Sequence, residues 1–357
     1  MISFARGAPA TECLAVDLLA DCARAAVERD PSVLAYGPGG GYGPLREWLA
    51  HRHGVAAARV VVTSGGLQGI LFYFEELLAR RPGRVLVEAP SYDRPLKLLA
   101  RLGAEVVALP MDEDGLDPDG LERELRAGGA SLLYTIPTFQ NPSGRTLPLE
   151  RRRRVVELAA EHGLPVLEDD PYGLVRYEGE GPPSLHELDE EGTVTYASSF
   201  SKTVAPGVRV GWFVLPDELA GAVEERAVST YISPPFLSQA TVHELIARGA
   251  FEPNLERIRG LLKARRDAML AALDRELDGR ATWSRPEGGY FVWADLTADS
   301  SELLERATAA GVTFVRGADF FPNGDGGTRS ARLAFSYESP SAIDAGVSTL
   351  ASLVDVP

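Results

Sequence analysis

The lysines of this chain are Lys97, Lys202 and Lys263, although lysine and arginine together number 36. A chemistry that needs a primary amine therefore has few positions to choose from. Lys97 and Lys263 fall in amphipathic helical patterns, where lysine normally occupies the solvated face. Lys202 stands instead in Ser199-Phe200-Ser201-Lys202-Thr203, directly after the apolar run 193–198 and shortly before Arg209. Hydroxyls and a guanidinium around an amine suit an aldehyde that carries a phosphate: they hold the dianion while the amine condenses with the carbonyl. Pyridoxal phosphate has that form. Further runs end in groups that would tune such a ring, namely Glu168-Asp169-Asp170-Pro171-Tyr172 and Gln140-Asn141-Pro142-Ser143-Gly144. A carboxylate that keeps the pyridine nitrogen protonated makes the ring an electron sink, and Asn and Tyr donors to the phenolate oxygen tune its reactivity. Ser64-Gly65-Gly66-Leu67, between an apolar run and a helical pattern, offers backbone N–H groups to the phosphate.

The elements that must position these groups are legible as a periodic pattern. Short apolar runs at 60–63, 85–88, 105–109, 131–136, 165–168, 193–198 and 209–215 alternate with amphipathic stretches. Their unbroken apolar character predicts strands covered on both faces. Asp117-Pro118 reads as a cap and first-turn proline, and 149–162 carries four arginines beside an apolar stripe. Beyond residue 250 the pattern changes to a long helix over 255–277, a hairpin over 281–296, a helix over 301–310, strand pieces and a last helix. The expected fold is α/β: a doubly wound, mostly parallel sheet in a large cofactor-binding domain, 46–250, plus a smaller α+β domain, 251–357. Residues 1–45, with one helix and a Gly/Pro-rich loop, are expected to dock on the small domain and a dimer interface.

Several other functions lack their markers. The glycine run 37–43 fits GxGxxG in no register and follows a helix-like segment, so it reads as a loop. None of the five histidines stands in an HExxH arrangement, and no metal is expected. GxSxG and Walker A motifs are absent from the sequence. A formal charge of −15 argues against a nucleic-acid partner or an anionic membrane surface. Cys13 and Cys22, both assigned to a helical stretch, match neither a CxxC motif nor a disulfide framework, and read as core thiols. The N-terminus lacks a signal-peptide pattern and no stretch is long and apolar enough to span a bilayer, so the expected location is cytoplasmic.

These motifs, from Phe4-Ala5-Arg6-Gly7-Ala8-Pro9 to Arg332-Leu333-Ala334-Phe335-Ser336, resemble in order and spacing the fold type I pyridoxal-phosphate enzymes, specifically class I/II aminotransferases of the aminoadipate/kynurenine aminotransferase-like branch. The resemblance implies pyridoxal 5'-phosphate as cofactor and Lys202 as the lysine of the internal aldimine. It implies Asp169 against the pyridine nitrogen, Asn141 and Tyr172 at the phenolate oxygen, and Tyr92 stacked on the ring. Ser199, Ser201, Arg209 and the backbone of Gly66 and Leu67 then form the phosphate cup, joined by Tyr36 from a partner subunit. Substrate binding falls to Arg332, Asn141 and Gly7, with Arg332 gripping the α-carboxylate; Asp170 has no assigned contact. The implied activity is ping-pong transfer of an amino group from an L-amino acid to a 2-oxo acid by a homodimer with shared sites. Related β-lyases, decarboxylases and oxidases use the same apparatus. A non-catalytic ligand-sensing domain is the less expected alternative, because little chain precedes Phe4 to hold a DNA-binding module. Arg6 is left open between pairing with an acidic substrate and facing solvent.

Overall fold

Runs such as Val60-Val61-Val62 and Val85-Leu86-Val87 place apolar side chains at consecutive positions, which a strand directs to alternate faces. The computed structural model, which describes residues 1–354, covers both faces. Val60 and Val62 join one core cluster while Val61 joins another on the opposite face. Among the described residues a seven-stranded sheet runs in the order Val60–Thr63, Gly211–Val214, Val194–Ser199, Val166–Asp169, Ala130–Thr135, Arg84–Glu88 and Val106–Leu109. Gly211–Val214 is antiparallel to both neighbours, and the remaining pairs are parallel. The carboxyl ends of the parallel strands therefore line one edge, where ligands of open α/β sheets bind.

The helix Leu149–His162 shows how burial departs from a simple amphipathic reading. Of its four arginines, Arg152 is fully buried. Its guanidinium donates to the carbonyls of Leu147 and Pro137 and to the Thr138 hydroxyl, each at 2.8 Å, and lies 3.9 Å from the buried Glu168 carboxylate. A buried cation persists only with such partners. It ties the helix to the loop that leads to Asn141.

Two expectations for the N-terminal region are corrected. The segment holds two helices, Val16–Arg29 and Gly43–His53, where one was expected. Gly43 of the glycine run opens the second, with Pro44 in its first turn, a position that suits proline because the missing N–H has no helical partner there. Cys13 lies in a separate 3-10 turn, Thr11–Cys13, and only Cys22 is on a helix; both thiols are buried and free.

A second, antiparallel sheet has the order Ala281–Trp283, Phe291–Leu296, Ser330–Ala334, Val315–Arg316. The chain's first residues lie beside it: Ile2–Ser3 forms a separate two-stranded parallel sheet with Val312–Thr313, and Ala334 N–H donates to the Phe4 carbonyl at 2.8 Å. The loop after Val166–Asp169 meets the turn between Ala281–Trp283 and Phe291–Leu296, where Gly289 N–H donates to the Val175 carbonyl at 3.0 Å and Tyr177 N–H to the Glu287 carbonyl at 2.8 Å.

Gly211, paired with both Thr63 and Ser199, brings its strand against the Gly65–Gly66 turn, and a Cβ at 211 would lie 2.4 Å from the Gly66 nitrogen. Backbone cannot swing aside as a side chain can. Gly211→Ala is expected to destabilise the protein by about 1–3 kcal/mol through overpacking. The chemical-denaturation midpoint reads this, and an unchanged midpoint would show that the turn has room to give.

Candidate active site

A cavity of about 240 Å³ opens at the carboxyl edge of the large sheet. Gly66, Leu67, Tyr92, Asn141, Asp169, Tyr172, Ser199, Ser201, Lys202 and Arg209 all line it, with Ile70, Ile136, Pro171, Ser198 and Pro206 completing the wall. Gly7 and Arg332 adjoin it through hydrogen bonds described below. Tyr36 stands apart, 78% exposed.

Lys202 follows the end of Val194–Ser199 and is half-buried, its ammonium donating to the Gly7 carbonyl at 2.7 Å. The ring centroids of Tyr290 and Tyr172 lie 5.0 and 5.7 Å from Nζ. Tyr290 in turn donates to the Lys202 carbonyl at 3.1 Å, which pins the backbone beneath the amine. Burial, with Arg332 and Arg209 nearby, lowers the ammonium to about 8. The other two lysines are exposed and paired, Lys97 with Asp93 and Lys263 with Glu178 and Asp267.

At the end of Val166–Asp169 the two neighbouring aspartates separate, because successive side chains leave a strand on opposite faces. Asp169 lines the cavity and accepts a hydrogen bond from Tyr134 at 2.8 Å. Asp170 turns to the other face, where Tyr196 and the Gly173 N–H donate to it at 2.9 and 2.7 Å. Burial, with Asp170 and Glu88 adding negative charge, pushes the Asp169 carboxyl up to about 7 against the pull of the Tyr134 hydrogen bond.

Opposite them, the helix Gly66–Arg80 points its N-terminal N–H groups at the cavity after Gly65, whose φ of 89° favours glycine. Ser64 N–H is taken by the Gln68 side chain at 3.0 Å. Arg209 sits in the left-handed region, φ 51°, costly for a residue with a Cβ. Its guanidinium donates to the carbonyls of Ser64 and Pro206 at 3.2 and 3.3 Å, and a Cβ on Gly65 would lie 2.1 Å from Nη2. The arginine thus closes over the glycine turn, and hydroxyls, guanidinium and helix N-terminus converge as an anion cradle.

Arg332 is 8% exposed and has no carboxylate partner among the described residues. Nη1 donates to the Asn141 side-chain oxygen at 3.0 Å and Nη2 to the Ala5 carbonyl at 2.9 Å, while Nε is buried without a hydrogen-bond partner. The Phe291 and Phe320 rings flank the guanidinium at 4.3 and 5.0 Å. Arg6, between the two backbone carbonyls that touch Arg332 and Lys202, is exposed and stacks on Tyr337 at 4.1 Å.

Sequence reasoning missed Tyr134, Tyr290 and the Glu88 clamp. Glu88 accepts from the Thr135 hydroxyl, the Ile136 N–H and the Gln140 amide, which fixes the loop that presents Asn141. Glu88 closes a strand with a carboxylate, a signal that could have marked it. Nothing in the sequence distinguishes Tyr134 from a core tyrosine. The cavity as a whole fits pyridoxal 5'-phosphate: an amine of lowered basicity, a buried carboxylate and an anion cradle on separate walls, beside an arginine whose Nε is orphaned.

Residues 1–335 match the family described as aminotransferase class I and II. The chain is 35% identical to aromatic-amino-acid aminotransferase 1 of Thermococcus litoralis, over 99% of this chain and 88% of that one. It is 37% identical to 2-aminoadipate transaminase of Thermus thermophilus, over 98% of this chain and 89% of the relative. The crystal structure of Pyrococcus horikoshii kynurenine aminotransferase in complex with PMP superposes with a TM-score of 0.94 at 34% identity, covering 99% of this chain and 90% of that one.

The lowered basicity of Lys202 makes a test of the cavity's electrostatics. A cation disfavoured by burial loses its proton earlier in the folded chain, so the penalty on folding is present below about pH 8 and is relieved as pH rises from there toward the ordinary 10.5. Acylation of the cofactor-free protein by limiting reagent, followed by peptide mapping, should show Lys202 reaching half its maximal reactivity near pH 8. A midpoint at the ordinary lysine value would mean that the amine is solvated.

Proposed function

The chain belongs to the class I and II aminotransferases, pyridoxal-phosphate-dependent enzymes of fold type I, and from that premise we propose how its own residues carry an amino group from an L-amino acid to a 2-oxo acid. The observation that carries this assignment of roles is the placement of the Lys202 amine, the Asp169 carboxylate and the Arg332 guanidinium about one cavity. When bound, pyridoxal phosphate supplies a carbonyl carbon for amine exchange and a ring that accepts electron density.

Lys202 anchors the cofactor and, once its Nζ is free and neutral, takes the proton from the substrate α-carbon. A base that deprotonates near 8 suits this work at neutral to mildly alkaline pH. The Gly7 carbonyl orients that nitrogen. Asp169 would hold the ring nitrogen, where a cation would favour its ionised form and offset the burial that holds the free carboxyl high. Because the Asn141 oxygen is committed to Arg332, its NH₂ is left to donate to the ring oxygen, beside the Tyr172 hydroxyl. Tyr92 would stack on the ring, and Ser199, Ser201, Arg209 and the N–H groups of Gly66 and Leu67, which line the same cavity, would take the phosphate. Arg332 binds the substrate α-carboxylate, its fork held in place by Asn141 and Ala5. The relatives named for aromatic amino acids, 2-aminoadipate and kynurenine support donors with long or aromatic side chains. A panel of amino donors with 2-oxoglutarate, read by keto-acid formation, identifies the substrate.

The active form in this reading is a homodimer. Leu34, Tyr36, Val228 and Ile232 are exposed large hydrophobics, and the segment around Gly37–Gly39 lies against the one around Val228–Phe236. A second copy would cover this patch and let Tyr36 reach the partner's phosphate. Two free, buried cysteines suit the reducing cytoplasm.

Arg332→Lys keeps the charge and loses the planar fork, so kcat/KM for amino donors should fall about ten- to hundredfold while cofactor affinity stays near wild type. Steady-state kinetics with equal losses for α-amino acids and for amines lacking the carboxylate would overturn the assignment. Borohydride reduction of the holoenzyme should fix the cofactor on Lys202, and a label on Lys97 or Lys263 by peptide mass mapping would move the anchor. Inactive Tyr36→Ala and Lys202→Ala chains should restore activity when mixed under subunit exchange. Light scattering that finds a single active 38.4 kDa chain would refute the shared site.

A further inference from the structure

Asp169 has one hydrogen-bond donor among the described residues, the Tyr134 hydroxyl, 2.8 Å from Oδ2. The sheet register makes this contact: Tyr134 pairs with Leu167 on the adjacent strand, so the side chains of 134 and 169 leave on the same face. The tyrosine has little freedom there. It is fully buried, and its ring meets Phe74 edge-on with centroids 6.0 Å apart at 84°.

We infer that Tyr134 is a positioning residue for Asp169, holding one carboxylate oxygen so that the other is free for the cavity and keeping the group ionised as the partner of the ring nitrogen. This rests on the placement of Asp169 against that nitrogen. The surroundings explain why a donor is needed. Asp170 adjoins Asp169 in the chain, Glu88 approaches from the end of Arg84–Glu88, and both disfavour a further negative charge. Tyr92 and Tyr172, on the cavity wall, bring neutral phenols, and Lys202 and Arg209 supply positive charge from its other side, with Arg332 adjoining. Burial pushes the Asp169 carboxyl up, and the Tyr134 hydrogen bond pulls it down. The phenol donates to the ionised form, so its loss raises the carboxyl further and leaves the acid protonated over a wider pH range. A protonated Asp169 cannot balance a pyridinium charge, and the ring nitrogen then gives up its proton more readily.

Tyr134→Phe removes the donor and keeps the ring against Phe74. In the holoenzyme kcat/KM should fall about ten- to hundredfold, the range for a hydrogen bond to a charged group. The acid limb of the kcat profile should move to higher pH, and the ¹⁵N NMR signal of a labelled cofactor's ring nitrogen should move toward its unprotonated position. In an Asp169→Asn background the same substitution should add nothing. An unmoved acid limb and ¹⁵N signal, or the same loss in both backgrounds, would overturn the inference. Wild-type turnover in Asp169→Asn alone would overturn the parent assignment as well, whereas a crippled Asp169→Asn beside an unaffected Tyr134→Phe removes Tyr134 only. If Tyr134→Phe does not fold, 3-fluorotyrosine at 134 makes the donor stronger and should move the acid limb to lower pH; no movement would again overturn it.

Discussion

Lys202, Asp169 and Arg209 line the cavity and Arg332 adjoins it, brought together from three separate parts of the chain, and no two of them form an ion pair among the described residues. Charged groups withdrawn from water normally pair or shift their ionisation, because desolvation is costly. Here neutral dipoles hold them, Lys202 by a carbonyl, Asp169 by a phenol and Arg332 by a carbonyl and an amide, while the exposed Arg209 leans on two carbonyls. Their charges are thereby left available for a ligand with complementary groups. The surrounding structure exists to keep these four from collapsing onto one another.

Strand geometry does much of that work. The alternation that sends Asp169 and Asp170 to opposite faces puts one carboxylate in the cavity and leaves the other half-buried on the far face with Tyr196. A single residue of slip would exchange them. The antiparallel strand Gly211–Val214, inserted beside Val60–Thr63, lets a glycine approach the turn that holds the helix N-terminus at the cavity. Left-handed backbone at Arg209, a cost of about 1–3 kcal/mol, is sustained by the contacts of its own guanidinium.

How much of this was legible follows from whether the information is local. Parallel strands buried on both faces announce themselves as unbroken apolar runs, and a lysine at a strand end among hydroxyls stands out in a chain otherwise supplied with arginine. The helix Gly43–His53 was missed because Gly-Gly-Tyr-Gly-Pro reads as loop, although proline is at home in a first turn. Arg152 shows the opposite difficulty, since its helix supplies no local cue that one of four arginines is enclosed. Tyr134 is identified only by its strand pairing, and the left-handed turn at Arg209 only by what it closes over. These are properties of pairs distant in sequence, which no window along the chain contains.

The N-terminal thread joins both halves of the site through its backbone: Ala5 accepts from Arg332, 327 residues later, and Gly7 accepts from Lys202. During translation these first residues leave the ribosome long before their partner strand exists. The large sheet, whose strands end by Val214, can form earlier, yet the contact of Ala5 must wait until Ser330–Ala334 emerges. Arg332 is therefore seated late, by a contact of very high sequence separation whose ordering entropy is met only after the rest of the core stands ready.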